Sequence, residues 1–361
     1  MSRQVLHQFL TGAAAGDAIT AQAFLIRNWL RDLAFESNIY ALHIHESICA
    51  EVRPLYSYRR APGEDWAVYH HSIGSAVPQF LSEQKLTLLL IYHNVTPPEY
   101  FARIDPQWAG MARQGLVQLH TLRDQTGLAL AVSEFNEQDL SVAGYQKTAI
   151  FPITLRQDDY DLPANNTTAD RIRSTGPNLL FVGRFAPNKK QEDLVRLMGH
   201  VCRIHPDARL HLVGSRWEVG YDRYVEQMAA ALNLSRNICL TGKVSHRDLV
   251  TYYRSTDLYI SMSEHEGFGA PLVESMYCEL PVLAYGVTAV PYTMGDAGVM
   301  FTDKRYAELA ELVDILLTDN ALRQRLIVGQ TERVQAFLEA RTRHTFEGIL
   351  QKIGLLYPQS A

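Results

Sequence analysis

The sequence predicts an α/β protein built from two parallel-sheet domains. Patterns typical of strands and of helices alternate along both halves of the chain, as parallel strands joined by crossover helices require. With 361 residues, the chain is long enough for two domains of ordinary size. A polar, turn-rich stretch at residues 156–178 separates the halves and is the predicted interdomain linker.

The first predicted domain comprises residues 1–155. Its strand candidates are short apolar runs, which in chain order are VLHQFL, SNIYALHI, LTLLLIYH and LALAVS. The segment AQAFLIRNWLRDLAF has the apolar spacing of a helix that packs on a sheet. This half therefore has the strands and the crossover helix that a parallel sheet needs.

The second predicted domain comprises residues 179–335. It opens with the strand candidate NLLFVG, and PVLAYG is a later strand of the same kind. The chain has a helical pattern from about Arg323 to Tyr357, and residues 336–361 are predicted as a separate C-terminal helix.

Composition excludes several classes of protein. A net charge of −5 argues against a nucleic-acid binder, whose affinity comes from a basic surface. The four cysteines are too widely separated for a disulfide framework or a zinc site. No apolar stretch is long enough to cross a bilayer, and the N-terminal residues lack the pattern of a signal peptide. We therefore expect a cytoplasmic protein.

The most informative motif is SEHEGFGAPLVESM, in which Glu266 and Glu274 flank a Gly-Phe-Gly turn. The run DLYISMS before it has the pattern of a buried strand, and Pro271 suits the first turn of a helix. Gly267 and Gly269 allow a ligand to approach the main chain closely. A strand, a glycine turn and a helix N-terminus form a natural anion pocket, and the two carboxylates can bind sugar hydroxyls.

Three segments together resemble the retaining glycosyltransferases of family 4. The acidic pair around GFG, followed by CELPVLAYGVTAVPYTMGDAGVMF, is the first, and FVGRFAPNKKQEDLV and ARLHLVGS are the other two. A lone pair of glutamates would be common by chance, but several matches in the same order are specific. The resemblance covers roughly the C-terminal half of the chain.

The resemblance implies a GT-B fold, in which two Rossmann-like domains face each other across a cleft. It also implies that the first domain binds most of the acceptor, that the second binds a nucleotide sugar, and that the final helix crosses back to the first domain. The expected chemistry is metal-independent transfer of a hexose from a UDP- or GDP-sugar to a hydroxyl, with retention at the anomeric carbon and no cofactor. The acceptor class would be a carbohydrate or a lipid-linked saccharide of the cell envelope, such as polysaccharide, lipopolysaccharide or glycolipid.

Arg184 and Lys189 provide the electrostatic part of the predicted site. Gly183 ends a strand candidate, and the two cations follow it in the same loop. Arginine binds phosphate oxygens through a planar fork and lysine as a point charge, so both suit the leaving diphosphate. The resemblance assigns them as the diphosphate clamp, although Lys190 competes with Lys189 for the role.

The resemblance also assigns the remaining donor contacts. Glu274 would bind the ribose hydroxyls, and Glu266 would bind the donor sugar together with the backbone of Gly267, Phe268, Gly269 and Ala270. In the first domain, Gly16 and Asp17 match the family's loop after the first strand best. A plain structural turn is the alternative for this loop.

The family often has a histidine that contacts the transferred sugar at the position of His93, which follows a strong strand candidate. His70 and His71 follow another apolar segment and are rivals for that role. The triplet Asp159, Tyr160 and Asp161 lies in the polar linker and is interpreted as a solvated strap, not as a metal site.

Two further points remain open at the level of sequence. A GT-B sugar-nucleotide epimerase, a phosphorylase or a non-catalytic nucleotide-sugar module would have the same sheets. A peripheral contact with the inner face of a membrane would use basic and aromatic residues of the first domain, for which the candidates are Arg53, Arg59, Arg60 and Trp66. An ordinary solvated loop is the alternative for those four residues.

Overall fold

The computed structural model describes residues 4–173, 176–216 and 220–356. Residue contacts divide the chain into two compact units. The first unit consists of the described residues of Met1–Thr154 and Glu339–Ala361, and the second of those in Leu155–Leu338. The ends of the chain and part of the predicted linker lie outside the described residues.

The first unit contains a seven-stranded parallel sheet with the strand order β3-β2-β1-β4-β5-β6-β7. Its strands are β1 (His7–Ala13), β2 (Ile39–Ile44), β3 (Arg53–Pro54), β4 (Trp66–His71), β5 (Thr87–Tyr92), β6 (Thr126–Ala131) and β7 (Thr148–Ile150). β5 lies near the middle of the sheet, and its LLLIY run is completely buried, as the unbroken apolar pattern predicts.

Four helices follow strands of this sheet along the chain. They are α1 (Ala18–Asp32), α2 (Val77–Gln84), α3 (Pro106–Leu122) and α4 (Glu134–Val142). α1 begins at an aspartate cap, and Ala23, Ile26 and Leu30 belong to a buried face that continues through successive turns. The predicted AQAFLIRNWLRDLAF helix is therefore present, and it starts three residues earlier than that segment.

The second unit contains a six-stranded parallel sheet with the order β10-β9-β8-β11-β12-β13. Its strands are β8 (Asn178–Val182), β9 (Arg209–Val213), β10 (Ile238–Gly242), β11 (Leu258–Ser261), β12 (Val282–Tyr285) and β13 (Val299–Phe301). The chain adds β9 and β10 on one side of β8 and then β11 on its other side. The point where the strand order reverses therefore lies between β8 and β11.

The helices of this unit connect its strands, apart from two that precede the sheet and two that follow it. They are α5 (Gln157–Tyr160), α6 (Asn166–Ile172), α7 (Gln191–Ile204), α8 (Tyr221–Ala231), α9 (His246–Ser255), α10 (Ala270–Tyr277), α11 (Val290–Met294), α12 (Tyr306–Thr318) and α13 (Asn320–Val334).

The segment predicted as a linker, residues 156–178, differs from that prediction because it belongs to the second unit and contains α5 and α6. Asn165 and Thr168 donate hydrogen bonds to the carboxylate of Asp248 at 2.8 and 2.6 Å. Arg254 donates to the carbonyl oxygen of Tyr160 at 2.7 Å. Polar groups of this segment, including the side chains of Asn165 and Thr168, are thus hydrogen-bonded to α9.

The final helix, α14 (Glu339–Lys352), is part of the first unit. The indole N–H of Trp29 donates to the Glu339 carboxylate at 2.9 Å. The Phe346 ring is completely buried and packs against Trp29 and Phe151, with ring centroids 6.0 and 5.4 Å apart. α14 therefore completes the apolar core beside α1.

Among the described residues, no helix is long and apolar enough to cross a membrane. The residues considered for a peripheral membrane contact have structural partners. Arg59 donates to the carbonyls of Tyr56 and Tyr58, and Arg60 donates to the carbonyls of Glu64 and Gln84. Trp66 is partly buried, and its ring lies where a Cβ on Gly127 would be only 2.3 Å away.

Candidate functional site

The candidate residues of the second unit lie at the carboxyl ends of β8 and β11. Gly183 and Arg184 directly follow β8, and residues 262–269 connect β11 to α10. These two strands are neighbours at the point where the strand order reverses. Crevices at such points are where open parallel sheets bind ligands, because the loops on either side diverge.

Lys189 and Glu266 form an ion pair between these two loops. The Lys189 ammonium lies 2.7 and 2.6 Å from the two carboxylate oxygens of Glu266. The side chains are only partly exposed, at 22% for the lysine and 13% for the glutamate. A cation and a carboxylate are therefore held together at the carboxyl end of the sheet.

Lys190, the rival for Lys189, has different partners. Its ammonium lies 3.3 Å from Glu264 and 3.8 Å from Glu192. Burial lowers the pKa of Lys190, but the nearby carboxylates of Glu264 and Glu192 outweigh that effect and raise it overall. Lys190 also has a φ of 53°, directly before α7. The two lysines therefore point to different carboxylates, and Lys189 is the one that meets Glu266.

The position of Arg184 is fixed through its backbone. Its carbonyl accepts a hydrogen bond from the Gln191 side chain at 3.0 Å, while its own side chain is exposed. The residues that follow β8 and β9 approach each other closely, because a Cβ placed on Gly214 would lie 1.9 Å from the carbonyl oxygen of Gly183. The loop after β8 thus presents a guanidinium at the same end of the sheet as Lys189.

The Gly-Phe-Gly turn leads into α10. Gly269 has a φ of 83°, and a Cβ there would lie 2.8 Å from Leu272 Cδ1, so both the backbone and the space favour glycine. Phe268 is 7% exposed and packs edge-on against Phe337, with ring centroids 5.4 Å apart. Its carbonyl accepts from the Thr293 hydroxyl at 2.6 Å. The Phe268 ring thus stabilises the turn by apolar packing. Only the main chain of Phe268, and not its ring, remains a candidate for donor binding.

Glu274 lies in the second turn of α10. The Tyr253 hydroxyl donates to its carboxylate at 2.5 Å, and the Tyr160 hydroxyl is also hydrogen-bonded to it. Burial raises the pKa of this carboxyl group, and the hydrogen bonds from Tyr253 and Tyr160 oppose that rise. Two tyrosine hydroxyls therefore fix the orientation of Glu274.

Tyr160 and Lys304 contribute to this region and were not identified from the sequence. Tyr160 belonged to the predicted strap, and only the fold brings it to Glu274. Lys304 lies 2.7 Å from Asp193 and 2.8 Å from Glu264, so it ties the loop after β11 to α7. No local pattern marks either residue, because their partners are distant in the chain.

In the first unit, Gly16 and Asp17 lie between β1 and α1. Gly16 has a φ of 80°, and Asp17 caps the helix by accepting from the N–H and the hydroxyl of Thr20, both at 2.8 Å. Gly12 and residues 15–18 are exposed. One carboxylate oxygen of Asp17 therefore has a structural role, and the loop exposes its main chain at the carboxyl end of β1.

The three histidines of the first unit differ in what their ring nitrogens contact. His71 contacts the Gly115 carbonyl at 2.9 Å and the Tyr69 hydroxyl at 3.2 Å. His70 contacts Gln8 at 3.0 Å and His93 at 2.9 Å. His93 Nδ1 is buried without a hydrogen-bond partner. Among these three, only His93 has a ring nitrogen without a hydrogen-bond partner in the described residues.

Within the described residues, no group of three or more histidine, cysteine, aspartate or glutamate side chains is arranged to hold a metal ion. The site also contains two positively charged side chains. Arg184 and Lys189 both belong to the segment between β8 and α7. Such a segment suits an anionic ligand whose charge is distributed over several oxygens.

Comparison with known proteins gives a family match that lies within the second unit. Residues 165–333 match the family model of the glycosyl transferases group 1. The D-inositol 3-phosphate glycosyltransferase of Geodermatophilus obscurus is 27% identical over 208 residues, which cover 55% of this chain and 45% of that protein. The serotype-specific mannosyltransferase WbdA of Escherichia coli is 29% identical over 191 residues, which cover 52% of this chain and 23% of that protein. The chain thus spans less than half the length of these two relatives.

A solved structure extends the likeness to nearly the whole chain. The Anabaena protein HepE, determined in complex with UDP and glucose, has a TM-score of 0.75 and 16% sequence identity. The match covers 96% of this chain and 99% of HepE. Together with the two parallel sheets, this confirms the predicted GT-B fold.

Proposed function

Since the chain belongs over residues 165–333 to the glycosyl transferases group 1, we propose that the protein moves a hexose from a nucleoside-diphosphate sugar to a hydroxyl acceptor. The observation that carries this proposal is the Lys189–Glu266 pair at the reversal point of the second sheet. It places a cation suited to a phosphate beside a carboxylate suited to sugar hydroxyls.

The donor contacts follow from the chemistry of each group. Arg184 and Lys189 bind the diphosphate and stabilise the charge that grows on it as it leaves. Glu266 accepts hydrogen bonds from hydroxyls of the sugar, helped by the main chain of residues 267–270. Glu274, oriented by its two tyrosines, accepts from the ribose hydroxyls. Lys189 and Glu266 remain close to each other while each binds its own part of the donor.

We propose that the transfer proceeds with retention and without a metal ion. The bond between the anomeric carbon and the diphosphate oxygen breaks, and the acceptor oxygen forms its bond to the same carbon on the same face. The proton of the acceptor hydroxyl passes to the departing diphosphate. Two side-chain cations supply the charge stabilisation that a divalent ion supplies in other transferases.

The class of substrate is proposed from the relatives. HepE was determined with UDP and glucose, and the named activities of the curated relatives are an inositol-phosphate glycosyltransferase and a mannosyltransferase. These support a UDP- or GDP-hexose as donor and a saccharide of the cell envelope, free or lipid-linked, as acceptor. We place the reaction in the cytoplasm, with a peripheral contact at the inner membrane face when the acceptor is lipid-linked.

A panel of UDP-, GDP- and ADP-sugars tests this proposal directly. We expect slow hydrolysis of one donor in the absence of an acceptor, and we expect that rate to survive EDTA. Loss of activity in EDTA that magnesium or manganese restores would contradict metal independence. Tight nucleotide-sugar binding without turnover across the panel and a range of saccharide acceptors would indicate a non-catalytic binding module instead.

A further inference from the structure

The Lys304 side chain extends across the carboxyl end of the second sheet. Lys304 belongs to the loop after the edge strand β13, whereas α7 follows β8, which lies three places along the sheet from β13. The Lys304 ammonium lies 4.9 Å from the centre of the Tyr285 ring at the end of β12. It contacts the carboxylate of Asp193 in α7 at 2.7 Å and that of Glu264 in the loop after β11 at 2.8 Å. One ammonium group therefore connects the carboxyl ends of four of the six strands.

Asp193 fixes the α7 end of this connection. Its side chain is almost completely buried, and it accepts hydrogen bonds from Lys304, from Arg196 one turn further along α7, and from the Tyr306 hydroxyl at 2.9 Å. Burial raises the pKa of Asp193, but the hydrogen bonds and the charge of Lys304, together with its other partners, outweigh that effect and lower it overall. Asp193 is therefore a carboxylate at neutral pH, and it binds the Lys304 ammonium as a fixed negative charge.

Glu264 is shared between two lysines. Its Oε1 lies 2.8 Å from the Lys304 ammonium, and its Oε2 lies 3.3 Å from the Lys190 ammonium. A carboxylate accepts at both oxygens, so the two contacts coexist and orient the whole group. Lys190 is thereby held at Glu264, while the neighbouring Lys189 pairs with Glu266. The contact with Lys304 thus orients the carboxylate that keeps Lys190 away from Glu266.

Asn188 joins the main chain before Lys189 to the main chain before Glu266. The Asn188 carbonyl accepts from the N–H of Glu264 at 2.8 Å, and its side-chain amide donates to the carbonyl of His265 at 3.0 Å. Asn188 is almost completely buried. A displacement of Glu264 is therefore transmitted to both members of the ion pair, because Lys189 directly follows Asn188 and Glu266 directly follows His265.

We propose that Lys304 is a positioning residue for the donor diphosphate, and that it acts through Glu264 on the ion pair of Lys189. The identity of the ligand rests on the proposed function, whereas the effect of Lys304 on the ion pair does not. Loss of either Lys304 or Glu264 should loosen the loop after β11 and weaken the binding of a nucleoside diphosphate. The sign of the Glu264 effect is diagnostic, because on charge alone the removal of a nearby acid would tighten the binding of an anion.

A double-mutant cycle with Lys304→Met and Glu264→Ala tests this role. Calorimetry with UDP, GDP and ADP identifies the nucleotide that binds the unmodified protein best, and that nucleotide is the probe for every variant. We expect about tenfold weaker binding for each single variant and no further loss in the double variant, because both changes remove the same connection. Lys304→Arg should recover most of the affinity, since it keeps a positive charge within reach of both carboxylates.

Arg305→Met and Glu308→Ala are the matched controls. Arg305 directly follows Lys304 and pairs with Glu308 at 3.2 Å, but the two side chains are 65% and 68% exposed. Each control changes the charge of the same region as its counterpart does, so it corrects for the general electrostatic effect. Because exposed ion pairs contribute little, neither control should change the affinity.

Two results of the binding experiment would overturn the inference. Tighter or unchanged binding in Glu264→Ala would show that Glu264 is not the connection. This result decides the matter even if Lys304→Met does not fold, because Glu264 is partly exposed and its removal is tolerated more easily. A double variant that binds about a hundredfold more weakly than the unmodified protein would show that Lys304 acts independently of Glu264, as a direct phosphate ligand would.

The ion pair can also be observed without a nucleotide. NMR of protein with isotope-labelled lysine detects ammonium groups that are held in ion pairs, and Lys189→Arg assigns the signal of Lys189. We expect that signal to shift in Lys304→Met and in Glu264→Ala and to stay unchanged in both controls. An unchanged Lys189 signal in the two test variants would reject the positioning role. If no nucleotide binds the unmodified protein, the proposed function fails, and this measurement still decides how Lys304 acts on the ion pair.

Discussion

Lys189 and Glu266 illustrate at the scale of single residues how the site combines opposite charges. Both carboxylate oxygens of Glu266 contact the same ammonium group, so each residue limits the conformations of the other. Donor binding then inserts phosphate and hydroxyl groups around a pair that is already oriented. The sequence predicted both residues, but the spacing alone did not predict that they contact each other.

The clearest prediction for a single side chain concerns Arg184. Arg184→Ala should lower turnover by about 100- to 1,000-fold, because a charge-assisted contact to the leaving diphosphate is lost. The fold should persist, since the side chain is exposed and the loop is held through its backbone. Steady-state kinetics would be compared with Arg236→Ala, an exposed arginine before β10 at the opposite end of the sheet. Equal rates for the two variants would reject the clamp assignment.

Glu274 gives a prediction about pH and stability. Burial raises its pKa in the folded chain above the ordinary value of 4.5. The unfolded chain therefore loses its proton first as pH rises, so this group destabilises the fold increasingly above that value. Glu274→Gln lacks this effect, and its stability relative to the unmodified protein should improve from acidic to neutral pH. Thermal unfolding across this range would measure the change, with the exposed Glu311→Gln as control. A constant difference would contradict the prediction.

At the scale of elements, the sequence predicted the strands whose apolar pattern is local. It did not predict the structure that depends on contacts between residues far apart in the chain. The runs LTLLLIYH and NLLFVG correspond to β5 and β8, because unbroken apolar segments are typical of buried parallel strands. Residues 156–178 were predicted as a linker because their polar composition can be read directly from the sequence. Their hydrogen-bond partner in α9 is about eighty residues further along the chain, so these contacts could not be predicted from the local pattern. The choice among three histidines likewise required the positions of their partners.

Replacing Gly269, in the turn before α10, and replacing Gly329, inside α13, by alanine should have opposite effects on stability. Gly269→Ala should destabilise the second unit by about 1–2 kcal/mol, since a positive φ is unfavourable for alanine. Gly329→Ala should stabilise it by about 0.5–1 kcal/mol, because this glycine lies inside α13 and a Cβ there meets nothing within 4 Å. Chemical denaturation of both variants checks the pair. An equal change in the free energy of unfolding for both variants would show that a side chain at Gly269 causes no backbone strain.

At the scale of the whole molecule, alternation of strands and helices predicted two α/β units, and two separate sheets are present. The first unit ends after Thr154, and the chain re-enters that unit at Glu339. Both positions lie close to the predicted limits of the first domain, at residue 155, and of the C-terminal helix, at residue 336. The polar composition of residues 156–178 suggested a boundary some twenty residues long. The structure instead assigns the described residues of this stretch to the second unit.

Phe346 tests the membership of α14 in the first unit. Phe346→Ala should cost about 3–5 kcal/mol, since a completely buried ring that packs against Trp29 and Phe151 is removed. Hydrogen exchange should then show lost protection in β1–β7 and unchanged protection in β8–β13. The matched change Phe181→Ala in β8 should give the reverse pattern. Uniform loss of protection in both units would contradict the division.

The proposed function as a whole depends on the stereochemistry of the transfer. We expect the acceptor to attack the face that the diphosphate leaves, because the cations of the site stabilise that leaving group and no residue is assigned as a nucleophile. Proton NMR of the first product formed from an α-linked donor measures the outcome through the anomeric coupling constant. The account predicts an α-linked product. A β-linked product would contradict retention, and Glu266 would then have to be considered as a general base.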